Sequence, residues 1–233
     1  MKKKSSNRIN KLLSFSLFTV LLAAAFFTTS CRKSDTTTTT AAYVMAVNLQ
    51  QGSAAQDLYL DGAKLTPSSL AYGQNSAYLP ITSDVSHTIQ FKASSTGTPD
   101  SSLVVLSLPG AYYSAYYTSS STIQYYRDGT TTPPTGYATV RIINLSTALA
   151  TGLDFANATG GTSTIMVAGD QYPVASSYTN VLAGSTTFTV ASAGSSTVLL
   201  SIPVTLQAGY IYSIAIVGSS TTSLAYDVVT QVN

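Results

Sequence analysis

Beyond residue 41 the chain is a succession of short apolar runs separated by polar turns, spaced about 8–12 residues apart and without the 3.6-residue period of a helix. Thr186 to Ala191 alternates, with Phe188 and Val190 on one face. Tyr210 to Val217 alternates too, setting Tyr212, Ile214 and Ile216 against Ile211, Ser213 and Ala215. Asp61-Gly62, Pro109-Gly110, Ala183-Gly184 and Ala208-Gly209 fall between runs, where hairpin turns belong. The pattern predicts an all-β chain of antiparallel sandwiches, with about seven to eight strands in each.

The order of runs occurs twice. Val44-Met45-Ala46-Val47-Asn48-Leu49 aligns with Val140-Arg141-Ile142-Ile143-Asn144-Leu145, and Asp57-Leu58-Tyr59 with Asp154-Phe155-Ala156. Ile89 and Phe91 match Phe188 and Val190, and Leu108-Pro109-Gly110-Ala111-Tyr112-Tyr113-Ser114 matches Gln207-Ala208-Gly209-Tyr210-Ile211-Tyr212-Ser213. Repeats that keep their order over a whole unit imply a repeated fold. The expected organisation is a signal segment over 1–30, Cys31 and a tether over 31–41, a first sandwich over 42–128, a linker over 129–136 and a second sandwich over 137–233. Pro133-Pro134 makes the linker short and semi-rigid. Proteolysis at the linker is expected to give two separable fragments of about 10 kDa each.

The first 31 residues obey a different rule. Lys2, Lys3, Lys4, Arg8 and Lys11 give a basic start, Leu12 to Phe27 is apolar apart from Ser14, Ser16 and Thr19, and Thr28-Thr29-Ser30 leads to the single cysteine, Cys31. This is the layout of an export signal, with an apolar run short of the ~20 residues that span a bilayer. A Cys at the end of such a run resembles the attachment site of bacterial lipoproteins of the Bacteroidetes type. There a small residue, here Ser30, precedes a Cys that is acylated and becomes the mature N-terminus. The resemblance implies stable anchoring through more than one acyl chain at Cys31. Arg32, at the position where an Asp resembles an inner-membrane retention signal, implies the outer membrane, with the periplasmic or surface face left open. Ser34 to Thr40, with five consecutive Thr, reads as a flexible tether.

Composition narrows the chemistry. The 233 residues carry 11 Lys and Arg, 9 acids that are all Asp, one His and one Cys. Ser and Thr number 34 each, and 45% of the chain is apolar. One Cys excludes a disulfide framework and a cysteine-based zinc site. One His and no Glu leave few groups for acid–base chemistry at neutral pH. The formal charge of +2 belongs to the basic start, because after Cys31 six cations face nine Asp, a balance of −3. Nothing there neutralises a phosphate backbone, so nucleic acid is not an expected partner.

The motif order within the repeat is similar to a known family. An opening Val-x-x-Asn or Arg-x-Ile-Asn strand is followed by Asp57-Leu58-Tyr59-Leu60-Asp61-Gly62, then Ala71-Tyr72-Gly73, then a Gly-Tyr-x-Tyr strand. This resembles domain-of-unknown-function family 4397, found in exported bacterial proteins with immunoglobulin-like sandwiches. The second copy keeps Asp154 and the Gly209 strand but has Phe155-Ala156-Asn157 in place of the tight turn. The resemblance covers most of residues 42–233 and implies structural motifs with no known activity.

Among single residues, Asp57 and Asp61 read as turn chemistry, because Asp-Gly favours a hairpin and the Asp side chain bonds its own turn. As a Ca²⁺ site they lack the six or more oxygens the ion takes. His87 reads as a surface or edge residue of the strand His87-Thr88-Ile89-Gln90-Phe91, and no Gly-x-Ser-x-Gly accompanies it. The tyrosines carry the candidate site. Tyr113 and Tyr117 match Tyr212 and Ile216 and belong to the core, whereas Tyr112 and Tyr116 match Ile211 and Ala215 on the opposite face. If that face is wet, Tyr112 and Tyr116 stand on it as paired contacts for a glycan or protein ligand. The expected function is a non-catalytic envelope lipoprotein acting as a binding or adhesion module, without cofactor or metal. The alternative is a structural spacer or accessory subunit of an envelope complex, and the remote alternative a hydrolase.

Overall fold

The computed structural model describes residues 40–118 and 121–231. The first sandwich contains β1 (Ala42–Asn48), β2 (Gln56–Leu60), β3 (Ala63–Lys64), β4 (Gln74–Asn75), β5 (Leu79–Ile81), β6 (Ser86–Ala93), β7 (Pro99–Leu106), β8 (Tyr112–Tyr117) and β9 (Ile123–Arg127). The second contains β10 (Tyr137–Ser146), β11 (Leu153–Asn157), β12 (Thr164–Asp170), β13 (Val174–Ala175), β14 (Thr179–Leu182), β15 (Gly184–Ser192), β16 (Val198–Leu206), β17 (Ile211–Gly218) and β18 (Ala225–Gln231). In the first, a sheet ordered β4-β1-β8-β9, with β5 also on β1, faces a sheet ordered β3-β2-β6-β7. The second repeats this with β13-β10-β17-β18, with β14 on β10, over β12-β11-β15-β16. The strand order is therefore the same in both.

Two details depart from the sequence reading. Among the described residues each sandwich has nine strand segments, because β3, β4 and β13 are two-residue pieces too short for a periodicity to reveal. One sheet of each sandwich is mixed, since β1 runs parallel to β8 and β10 parallel to β17, with Tyr43 opposite Tyr112 and Thr139 opposite Ile211. The turn at Asp61-Gly62 forms as expected. Leu60 pairs with Ala63 across it, and both turn residues have positive φ, +49° and +84°, which Asp tolerates and Gly adopts freely.

Alternation places Val44, Ala46, Ala115 and Tyr117 against Leu58, Ile89 and Phe91 in the first core. Val140, Ile142, Tyr212, Ile214 and Ile216 meet Phe155, Phe188 and Val190 in the second. A third cluster lies between the sandwiches. The opposite faces of β1 and β8 (Met45, Val47, Leu49, Tyr116) pack on the opposite faces of β10 and β17 (Ile143, Leu145, Ala215, Val217), with Val229 of β18. The two inner sheets are thus covered on both sides and the molecule is a stack of four sheets. Every residue of β17 is buried, and of β10 all but Tyr137. Parallel strand pairs belong in such doubly covered positions. Each large side chain enclosed here contributes about 1.5–3 kcal/mol. The described residues of the two sandwiches form a single compact unit.

Candidate functional site

The face expected to be wet is the one on which the sandwiches meet. Tyr116 is 0% exposed and sits in the shared apolar cluster. Its hydroxyl faces Ser114 and Ser213 without forming a good hydrogen bond, and burial pushes its pKa up. Tyr112 is half-buried, stacked on Tyr43 with ring centroids 4.7 Å apart and met edge-on by Tyr78 at 5.0 Å. The paired display of Tyr112 and Tyr116 is therefore corrected: the second sandwich covers Tyr116, and two neighbouring rings hold Tyr112. The reason lies in Met45, Val47 and Leu49, which make that face of β1 apolar and drive it against Ile143 and Leu145. Tyr113, by contrast, is buried and stacked on Tyr125 at 4.8 Å, as its match with Tyr212 predicts.

At one edge of this apolar contact lies a buried polar cluster. The Asp128 carboxylate accepts from four groups: Arg141 Nη2, Gln231 Nε2 at 2.8 Å, Tyr78 Oη at 2.7 Å and Ser114 Oγ at 2.6 Å. Arg141 also donates from Nε to Ser213 Oγ at 2.7 Å and from Nη1 to the Arg127 carbonyl at 2.8 Å. Its guanidinium lies over the Tyr178 ring, 4.9 Å from the centroid. Tyr178 donates to Gln231 Oε1 at 2.7 Å and accepts from the Gly129 N–H at 2.9 Å. Asp128 and Arg141 are 6% and 3% exposed. Burial pushes the Asp128 carboxyl above its ordinary 3.8, with the Arg141 guanidinium, Ser114 and Tyr78 pulling the other way. Such a pair is tolerated only when every remaining polar atom is bonded, as it is here.

The cluster is nearly two-fold. Tyr78, Ser114 and Asp128 of the first sandwich stand opposite Tyr178, Ser213 and Gln231 of the second, with Asp128 and Gln231 bonded across the approximate axis. Arg141 breaks the symmetry, because Met45 occupies its place in the first sandwich. Sequence reasoning missed this group. The available signal was the second occurrence of Ser76-Ala77-Tyr78 as Ser176-Ser177-Tyr178, together with the matched Ser114 and Ser213. Ser76 and Ser176 each accept the backbone N–H of the matching first-strand residue, Ala46 at 3.0 Å and Ile142 at 3.1 Å.

Several other ionisable groups hold turns. Asp57 pairs with Lys64 at 2.9 Å, and Asp154 accepts from the Gly169 and Gly194 N–H groups, both at 2.8 Å. Asp61 accepts from the Thr88 N–H at 2.8 Å and meets His87 Nδ1 at 2.6 Å, and these bonds lower its pKa. His87 is buried rather than a surface residue. Burial works against its cation, but Asp61 and the Thr82 carbonyl, 2.9 Å from Nε2, outweigh it, so its pKa is raised. Asp170, whose Oδ2 has no hydrogen-bond partner, is pushed up to about 6 by burial. Among the described residues no three His, Cys, Asp or Glu side chains gather as a metal would need. Cys31, the expected lipidation site, lies outside the described residues.

Residues 42–156 match the model of the family described as Domain of unknown function (DUF4397), which supports the resemblance carried by the motif order. No match was found among curated proteins. Among solved structures the chain is similar to CBMbc (family CBM26) from Eubacterium rectale Amy13K, crystallised with maltoheptaose, at 10% identity, covering 83% of this chain and 98% of that one with a TM-score of 0.28. It is also similar to an alpha-glucan-binding streptococcal virulence factor, at 11% identity over 79% and 96% of the two chains with a TM-score of 0.26. A third is the fimbrial anchor protein Mfa2 from Porphyromonas gingivalis, at 12% identity over 83% and 97% with a TM-score of 0.20. These superpositions are too loose to transfer any residue or ligand.

Proposed function

We propose that the chain is a non-catalytic lipoprotein of the cell envelope, built of two tandem copies of the DUF4397 domain, that acts as a binding or accessory module. The lipid on Cys31 holds it to the outer membrane, and the Thr-rich tether sets the paired sandwiches off from the bilayer. The observation that carries this reading is the stack of four sheets. The shared apolar cluster and the Asp128–Arg141 pair join the sandwiches into one stiff body, a shape suited to presenting a surface. A non-catalytic role is supported by how the ionisable groups are engaged. Asp57, Asp61, Asp128 and Asp154 are each bonded to a cation, an imidazole or loop amides that hold the fold. The burial of Tyr116 favours a second reading, a structural spacer or accessory subunit, over a ligand site centred on that residue.

The anchor is tested by fractionating cells that make the wild type and Cys31→Ala. The wild type is expected in the membrane with an acylated Cys31 by mass spectrometry, and the variant in the soluble fraction or unprocessed. An unacylated wild type, or a variant still membrane-bound and processed, contradicts it. Binding is tested by passing solubilised envelope over the immobilised full chain, where retention of a defined glycan or protein separates a binding module from a spacer.

A further inference from the structure

The near two-fold relation between the sandwiches exposes a difference at one end of their common face. In the first sandwich Tyr43 and Tyr112 lie side by side on β1 and β8, stacked on each other beside Tyr78, with Pro80 paired to Tyr43. In the second the corresponding residues are Thr139, Ile211, Tyr178 and Asn180. Two tyrosine rings are thus replaced by a threonine and an isoleucine, and the space they would fill is a groove of about 310 Å³. The linker crosses it as a strap, with Gly129, Thr131, Thr132 and Pro134 on its lining. The strap is held at one end by the Gly129 N–H on Tyr178 Oη and at the other by the Tyr137 N–H on the Pro134 carbonyl. Any side chain at 129 would bring its Cβ within 3.0 Å of the Tyr178 ring, so glycine lets the strap lie against it.

We propose that this groove binds a neutral saccharide ring, at the lower end of the size range of ligand pockets. Resting on the binding-module reading, this names its ligand class. The lining suits a molecule with one apolar face and a rim of hydroxyls. Tyr178 and Pro134 supply aromatic and aliphatic surface above the buried Ile211, and Thr131, Thr132 and Asn180 supply hydrogen-bonding groups. The buried Thr139 hydroxyl donates to Asn180 Oδ1 at 2.7 Å, which fixes the amide and leaves its N–H groups to donate elsewhere. No Asp, Lys or Arg lines the groove, and the nearby Asp128–Arg141 pair is internally neutralised, so charged ligands gain nothing there.

The test is calorimetric and NMR titration of the full chain with glucose, galactose, mannose, N-acetylglucosamine and maltose. Two variants accompany it. Ile211→Tyr fills the groove with the residue the first sandwich carries at 112, and Asn180→Ala, at an exposed position, removes one donor without filling it. At least one sugar is expected to bind the wild type, Asn180→Ala to weaken it about tenfold, the loss of one good hydrogen bond, and Ile211→Tyr to abolish it. Should Ile211→Tyr fail to fold, Asn180→Ala decides. A sugar that binds both variants as well as the wild type overturns the groove and leaves the binding-module reading intact. Failure of every sugar up to about 50 mM also overturns the groove, and the module reading falls with it only if the envelope retention experiment is negative too.

Discussion

Arg141 is the residue on which the contact between the sandwiches turns. It is the one member of the buried polar cluster without a polar counterpart, since Met45 stands at the matching position. Arg141→Met alone leaves the Asp128 carboxylate buried beside Tyr78, Ser114 and Gln231 with no cation, and is expected to cost about 3–5 kcal/mol. The double change Arg141→Met/Asp128→Asn removes the stranded charge and should regain most of that loss, because replacing both partners is far less harmful than removing one. Urea unfolding of Arg141→Met, Asp128→Asn and the double variant checks this; equal losses in the single and double Arg141 variants would refute it.

Three other residues shape the response to pH, and Asp227, raised by burial, acts in the same direction as Asp170. The pKa of Asp170 is raised to about 6, so the native state binds its proton more tightly than the unfolded chain does and stability falls as pH rises from about 4 to 6. His87 is also raised, so its contribution is complete below 6.5 and is lost as pH climbs through its folded value. Asp61 is lowered, so its contribution is present above 3.8 and disappears as pH falls through its folded value. Melting temperature is therefore expected to peak near pH 4 and to fall on either side of it. Asp170→Asn should flatten the fall over pH 4–6, and His87→Gln the fall above it. A maximum at pH 8 in the wild type would contradict these assignments.

At the scale of the element, β1, β8, β10 and β17 differ from the other strands in being covered on both faces. The position of the tyrosines follows from this. Tyr113→Ala and Tyr116→Ala are each expected to destabilise the fold by about 3–5 kcal/mol, as loss of a buried aromatic does, although the two rings point to opposite sides of β8. An unchanged melting temperature for Tyr116→Ala would show that its face is open after all.

The sequence carried the first half of this result. Alternation at Tyr210 to Val217 identified the core face, and the repeat placed Tyr113 beside Tyr212. The turn at Asp61-Gly62 was legible because its geometry is local. The matched Asn48 and Asn144 were visible as well, and each ties the end of its strand to a distant segment, Asn48 to the Leu70 carbonyl at 3.0 Å and Asn144 to the Asp170 carbonyl at 2.8 Å. The second face of the inner strands was misread because alternation assigns only one face to a core. The near-continuous apolar run Val44 to Leu49, unlike a half-wet strand, was the sign that both faces are buried. Arg141 bonds Ser213, 72 residues away, and Gln231 bonds Asp128, 103 residues away, and no local pattern brings them together.

At the scale of the whole molecule the two sandwiches use the same face against each other, as two subunits of a two-fold dimer do, but within one chain. The contact combines an apolar centre with a fully bonded ion pair at its edge, and further bonds link Gln51 to the Ser223 carbonyl at 3.1 Å and Tyr126 to the Pro173 carbonyl at 3.1 Å. The linker is therefore a strap over a joint that holds by itself. Its exposed Thr130–Thr132 segment is where a protease should cut. Limited proteolysis with a broad-specificity protease, followed by gel filtration under native conditions, isolates the strength of the joint. Once the linker is cut, the two fragments of about 10 kDa each are expected to elute together at the mass of the uncut module and to separate only in denaturant. Two folded fragments eluting apart would show that the sandwiches are independent beads on a string, without the shared core on which the rigid-module reading depends.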